Sequence, residues 1–297
     1  MMQFARPSAE ALAFLAQERP RLPALTSASA WAFREAIRVD TLPRAERALE
    51  RHPVALEESI IMGVRCLIVT PPNHEGGMDM LYFFGGGYFS GSPREDLILA
   101  APLAAYSGRR IIMVDYRLAP EHPYPAAVDD GFAVYGALAS AGPFSLIGES
   151  AGGNLALVML HRAKRAGMRL PDRVALFSPW CDLTPDGVTA RNPDGDDPTL
   201  TPGMNHAAIS IYSGGVPTEA PEISPVFADW SDPLPEFMIS TGSRDLLRNQ
   251  VLHLADRLHR APRVVLREYP QLWHVFEFYD EIPEAEDSLR AFGAFLK

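Results

Sequence analysis

Phe144-Ser145-Leu146-Ile147-Gly148-Glu149-Ser150-Ala151-Gly152-Gly153, continuing into Asn154-Leu155-Ala156-Leu157-Val158-Met159-Leu160, is the stretch that decides how this chain folds. Its first four residues form a short apolar run of strand character, and Asn154 to Leu160 reads as an apolar helix. A serine between two such segments sits on a sharp strand-to-helix turn, which pushes its hydroxyl out at the carboxyl edge of a sheet. Gly148 and Gly152 remove side chains that would block so tight a turn, and Gly153 permits close helix packing. The helix N-terminus points its free N–H groups and the positive end of its dipole at any oxyanion formed beside the serine. Ser150 is the candidate nucleophile.

A nucleophilic serine needs a base, a group to orient that base, and donors for the oxyanion. Met80-Leu81-Tyr82-Phe83-Phe84 is an aromatic-rich run of strand character that breaks into Gly85-Gly86-Gly87-Tyr88. Glycines directly after a strand leave backbone N–H groups unobstructed, so Gly85 and Gly86 are expected to donate together with Ala151, the residue after the nucleophile. The chain has eight histidines. His52, His74, His161, His206, His253 and His259 lie in polar or helical surroundings without a partner motif, and His122 sits in a proline-studded segment. His274 differs, because it follows a strand-like run, Val264–Tyr269, and a short loop, and precedes a C-terminal helix. It is the expected base. Between the two, Pro235–Thr241 reads as a strand and Gly242-Ser243-Arg244-Asp245-Leu246-Leu247 as its turn. Asp245 is the expected carboxylate, accepting the His274 Nδ1–H and fixing its tautomer. Asp256 within a helix and Glu268 within a strand are the alternatives.

The motifs together resemble the hormone-sensitive-lipase-like branch of the α/β-hydrolases, bacterial carboxylesterases in particular. The resemblance rests on Phe84-Gly85-Gly86-Gly87-Tyr88, on Asp115 to Ala127, on Gly148 to Gly153, on Ser178-Pro179-Trp180-Cys181-Asp182-Leu183, on Ser224-Pro225, on Gly242 to Leu247 and on His274-Val275-Phe276. They span residues 80 to 276 in the family's order. The resemblance implies an α/β-hydrolase fold, with a mostly parallel central sheet flanked by helices and a helical cap. It also implies a serine carboxylesterase acting on short- to medium-chain acyl esters through an acyl-enzyme, with no metal or organic cofactor. An amidase or lactonase would use the same residues, and a non-catalytic binding module on the same scaffold is the remaining alternative. The family's oxyanion motif usually begins with histidine, where this chain has Phe84. A phenyl ring has no polar task there, so Phe84 is expected in the substrate pocket. Tyr88, Phe89, Trp180, Met204, Tyr212 and Phe276 are further candidates for its lining, although large apolar residues more often belong to a core.

At 297 residues with 47% hydrophobic content, the chain is long enough for one large α/β domain and a cap. The organisation expected is N-terminal cap helices over residues 1–50 and a catalytic domain over 51–297, with a cap insertion at about 184–222. Residues 8–38 hold two helix-like stretches, the second with Trp31, Phe33 and Ile37 on one apolar face. Residues 39–57 read as a charged connector. Strand-like and helix-like segments alternate from about residue 58, the pattern of a parallel sheet wrapped by helices. Turn-rich segments at Thr184–Gly187 and Asn192–Pro198 interrupt it, followed by one helix over Met204–Tyr212. A formal net charge of −10 argues against a nucleic-acid partner. The first residues lack the layout of a signal peptide, and no apolar run approaches a membrane span, so a cytoplasmic protein is expected, with a homodimer left open. Two cysteines make neither a disulfide framework nor, without clustered histidines, a zinc site.

Overall fold

The computed structural model describes residues 2–3, 6–17, 24–188, 192 and 194–297. The chain opens with β1 (Met2–Gln3), α1 (Ala9–Leu15), α2 (Ala30–Arg51), β2 (Ala55–Ile61), β3 (Val64–Thr70) and β4 (Asp79–Phe83). It continues through α3 (Leu97–Ser107), β5 (Ile111–Val114), α4 (Ala126–Ala141), β6 (Phe144–Glu149), α5 (Ser150–Arg165) and β7 (Arg173–Phe177). The last part holds α6 (Pro202–Tyr212), β8 (Glu236–Gly242), α7 (Arg248–Arg257), β9 (Val264–Tyr269) and α8 (Pro283–Leu296).

Among the described residues, nine strands form one sheet in the order β1-β9-β8-β7-β6-β4-β5-β3-β2. The β2–β3 and β3–β5 pairs are antiparallel, and every other pair is parallel. Successive strand side chains point to opposite faces. Every residue of β5 and β6 is buried, so helices cover both faces there, which is why these strands are continuous apolar runs. Strand order reverses at β4, which pairs with β5 on one side and β6 on the other. Loops leaving the carboxyl ends of strands at such a switch point diverge and open a crevice for a ligand. Gly85 follows β4, Ser150 follows β6, Asp245 follows β8 and His274 follows β9. Because these strands run parallel, all four positions open on one edge of the sheet.

The expected connector over 39–57 is mostly helix. α2 continues to Arg51 with Pro43 inside it. Its charges form a docked face rather than a solvated linker: Arg44, Arg47 and Arg51, spaced to share one side of a helix, pair with Asp280 and Glu281. Trp31 does not join the apolar face expected of it and is 72% exposed, whereas Phe33 is fully buried. In the interrupted region, α6 starts two residues before Met204 because Thr201 caps it, accepting from the Met204 N–H, with proline at the first helical position. Pro193 of the turn expected at Asn192–Pro198 lies outside the described residues, as do 189–191.

The approach of α5 to β4 is a tight backbone constraint in this frame. A Cβ on Gly152 would lie 2.0 Å from the Phe83 carbonyl oxygen and 2.4 Å from that of Phe84. Both obstacles are backbone, so neither can rotate away. Gly152→Ala is expected to destabilise the protein by at least about 3 kcal/mol, the upper range for overpacking a core. Chemical denaturation of the two proteins checks this. A loss below about 1 kcal/mol would mean that the helix slides to make room.

Candidate active site

β6 ends at Glu149 and α5 begins at Ser150, with no loop between them. Ser150 therefore takes φ of 50°, the left-handed region that a non-glycine residue rarely enters. Its carbonyl accepts from the Trp180 N–H at 2.9 Å, which pins the turn to the segment after β7. No side chain caps α5, so the N–H groups of its first turn, Ala151's included, stay available to a ligand.

His274 is delivered by a loop in which Gln271 and Val275 both have positive φ. The Val275 N–H donates to Ser178 Oγ at 3.1 Å. This loop sets His274 Nε2 2.8 Å from Ser150 Oγ and Nδ1 3.0 Å from Asp245 Oδ1. Asp245 is fully buried and is itself held, accepting from the Leu247 N–H at 2.9 Å and the Thr241 hydroxyl at 3.1 Å. Burial pushes the His274 imidazole toward the neutral form. The charge and hydrogen bond of Asp245, with Asp197 and Glu277 beyond, outweigh it and leave the ring's pKa above its ordinary value. Asp256 is exposed on α7, and Glu268 pairs with Arg248 at 2.7 Å, so neither faces the imidazole. His274 is the histidine that lines the pocket.

The loop expected to supply oxyanion donors differs from expectation at one glycine. Gly85, Gly86 and Gly87 all line the pocket. The Gly85 amide, however, hydrogen-bonds the buried Glu149 carboxyl, which sits so close that a Cβ on Gly85 would meet it at 2.0 Å. That N–H is already engaged. The Gly86 and Gly87 amides have no partner among the described residues, and φ values of 95° and 62° turn this backbone as only glycine does comfortably. Glu149 in turn hydrogen-bonds Asp96, which accepts from the Tyr82 hydroxyl at 2.8 Å. Burial pushes Asp96 up to about 8. Burial and the Asp96 charge push Glu149 well above the carboxylate range. The pair therefore holds a proton at neutral pH. Glu149 stands beside Ser150 in the sequence, but nothing local in the sequence links it to Asp96.

Above Ser150 lies a cavity of about 210 Å³. Phe89, Trp180 and Met204 line it as expected. Phe84, Tyr88, Tyr212 and Phe276 are fully buried outside its wall. Tyr88 stacks on Tyr212 at 3.7 Å and donates to Asn154 Oδ1 at 2.7 Å, and Phe276 packs on Tyr269 at 4.6 Å. Phe33 and Ile37 of α2, with Leu200 and Ala208 of the interrupted region, line it instead. Phe33 and Ile37 stand four residues apart on one helical face, the signal that could have nominated them. Among the described residues, no group of three His, Cys, Asp or Glu side chains is placed to hold a metal ion, and no helix is long and apolar enough to cross a membrane.

This site and sheet have counterparts. A family profile for the α/β hydrolase fold matches residues 80–278, and the chain belongs to that family, in its hormone-sensitive-lipase branch. It is 31% identical over 232 residues to an acetyl-hydrolase of Streptomyces hygroscopicus, covering 76% of this chain and 77% of that protein. It is 33% identical over 223 residues to an esterase of Acinetobacter venetianus, covering 73% of each. Among solved structures, a hormone-sensitive lipase from a metagenome library superposes with a TM-score of 0.75 at 32% identity, over 92% of this chain and 98% of that one. An esterase from the bacterial hormone-sensitive lipase family gives 0.79 at 27%, over 97% and 94%. The chain thus stands among ester-hydrolysing α/β hydrolases.

Phe84, expected in the pocket, is fully buried and does not line the cavity. Its ring stacks on Tyr116 with centroids 4.1 Å apart and planes 8° from parallel, and its carbonyl accepts from the Tyr116 hydroxyl at 2.6 Å. Phe84→Ala is expected to cost about 3–5 kcal/mol of stability and to lower kcat, with the ratio of kcat/KM for acetate and octanoate p-nitrophenyl esters unchanged. An unchanged kcat with a shifted ratio would return Phe84 to the pocket.

Proposed function

We propose that this protein is a serine carboxylesterase that hydrolyses short- to medium-chain acyl esters through an acyl-enzyme. The observation that carries this reading is the continuous contact from Ser150 Oγ through both ring nitrogens of His274 to Asp245. His274 takes the Ser150 proton as the oxygen attacks the ester carbonyl, and Asp245 holds the tautomer and stabilises the imidazolium. The developing oxyanion is received by the Gly86, Gly87 and Ala151 N–H groups, at the positive end of α5. His274 then protonates the leaving alcohol, and water repeats the sequence to release the acid. The chain's resemblance to an acetyl-hydrolase supports a small acyl group. A cavity of about 210 Å³ does so too, lying below the roughly 300–1,000 Å³ of sites for drug-sized ligands. In this reading the N-terminal helices and the insertion at 184–222 act as the cap, since α2 and α6 supply the cavity's apolar wall.

Ser150→Ala and His274→Ala are each expected to lower kcat on p-nitrophenyl butyrate by at least ~10³-fold, and the double variant by little more, because the members act as a unit. Asp245→Asn is expected to lose about 10⁴-fold through the wrong tautomer. A Ser150→Ala variant near the wild-type rate, or strictly additive losses, would sink the serine mechanism. p-Nitroanilide and lactone substrates run alongside separate an esterase from an amidase or lactonase.

The pH profile follows from the same contacts. His274 must be neutral to accept a proton, so kcat/KM falls as pH falls through its pKa. The unperturbed imidazole range of about 6 to 7 is the first expectation, and the charges of Asp245, Asp197 and Glu277 move the limb upward. The acidic midpoint is therefore expected above 6.5. A midpoint well below that value would mean that burial, not the carboxylates, dominates at the ring.

A further inference from the structure

The turn-rich segment ahead of α6 contains a carboxylate that the proposed mechanism does not use. Asp197 is 8% exposed and accepts five hydrogen bonds. Its Oδ1 takes the Thr199 N–H at 2.8 Å, the Thr199 hydroxyl at 2.8 Å and the Leu200 N–H at 3.1 Å, which closes its own turn. Its Oδ2 reaches across 77 residues to the His274 N–H at 3.0 Å, and also takes the Leu246 N–H, next to Asp245, at 3.1 Å. One oxygen thus ties together the backbone of the base and the backbone beside the acid. Asn192 reinforces the link, donating through Nδ2 to the Arg244 carbonyl at 2.8 Å and to that of Asp245.

We infer that Asp197 is a positioning residue for ester hydrolysis, fixing the spacing of Asp245 and His274 from the insertion above them. This rests on the serine mechanism proposed above. Four of the five partners are backbone N–H groups, which can only donate, and a carboxylate accepting from that many N–H groups is favoured in its ionised form. Burial and the Asp245 charge push the other way and raise its pKa. The His274 ring is faced by Asp245 from the β8–α7 turn, by Asp197 from the insertion and by Glu277 from its own side, and all three raise its pKa. Removing the Asp197 charge then acts on the base in two ways: it loosens the geometry and eases the imidazole toward the neutral form. A misplacement of about 1 Å in such a site costs on the order of 10²-fold.

Asp197→Asn keeps an oxygen for Thr199 and Leu200 but turns an NH₂ toward the His274 and Leu246 amides. The expected result is a kcat at least ~10-fold lower on p-nitrophenyl butyrate, KM within about threefold, and an acidic limb at lower pH than wild type. NMR titration of ring-labelled histidine reads the same downward shift at His274 without turnover. Should Asp197→Asn fail to fold, Asp197→Ser serves, because its hydroxyl still closes the local turn but cannot reach His274. A folded variant with wild-type kcat and an unmoved limb, lower only in melting temperature, would overturn the inference while Ser150→Ala and Asp245→Asn remain inactive. Full activity in Ser150→Ala would instead remove the serine mechanism itself, and the NMR titration would still decide whether Asp197 acts on His274.

Discussion

Everything at the active edge depends on how closely α5 can press against β4. A helix that begins without a loop after β6 must turn the chain within one residue, and Ser150 absorbs that turn with its left-handed φ. The strain persists only because surrounding structure over-determines it. The backbone carbonyls of Phe83 and Phe84 sit where a Gly152 side chain would be, and the Trp180 amide pulls on the serine carbonyl. The same approach brings the oxyanion loop, which leaves β4, within reach of the helix N-terminus. The proposed nucleophile, its proposed donors and the helix dipole are thus set by one packing contact, not by three separate adjustments.

The second organising feature is the density of buried acids around the neutral Ser150 hydroxyl. Asp245 and Asp197 sit behind His274, Glu277 is held by the Ser240 and Ser288 hydroxyls, and Glu149 with Asp96 lies beneath the oxyanion loop. Their environments sort them by task. Asp197 accepts from amides on two loops, those of Leu246 and His274. Glu149 and Asp96, facing each other, share a proton and hold the Gly85 amide. Buried carboxyls of one chemical type thereby act as clamp and prop according to what faces each oxygen.

Much of this was legible in the chain. The alternation of strand and helix, the serine between them and the order of serine, acid and histidine are local patterns, and the structure brings Ser150, Asp245 and His274 into contact. What escaped was whatever depends on facing partners far away in sequence. Phe84 looked like a pocket residue because nothing near it reveals Tyr116 beneath its ring. Gly85 looked like a donor because nothing in a glycine triplet says that a carboxyl from β6 already holds one amide. The charges of α2 looked like a linker because Asp280 and Glu281, which pair with them, lie more than two hundred residues on. Tyr88 and Tyr212 are large and near the site in sequence, yet they stack on each other and spend their faces on the core.

The proton held between Glu149 and Asp96 has a cost that grows with alkalinity. A carboxyl whose pKa is raised by folding binds its proton more tightly in the native state than in the unfolded chain. Its contribution to stability is therefore present below the ordinary carboxylate value of 3.8 and is lost as pH rises toward about 8, where Asp96 titrates. In the proposed mechanism His274 runs the other way, since a base there requires pH above its own raised pKa. The conditions that free the base are thus the conditions that weaken the ground beneath the oxyanion loop. A working range bounded by chemistry on the acid side and by cohesion on the alkaline side follows from burying two acids under a glycine turn.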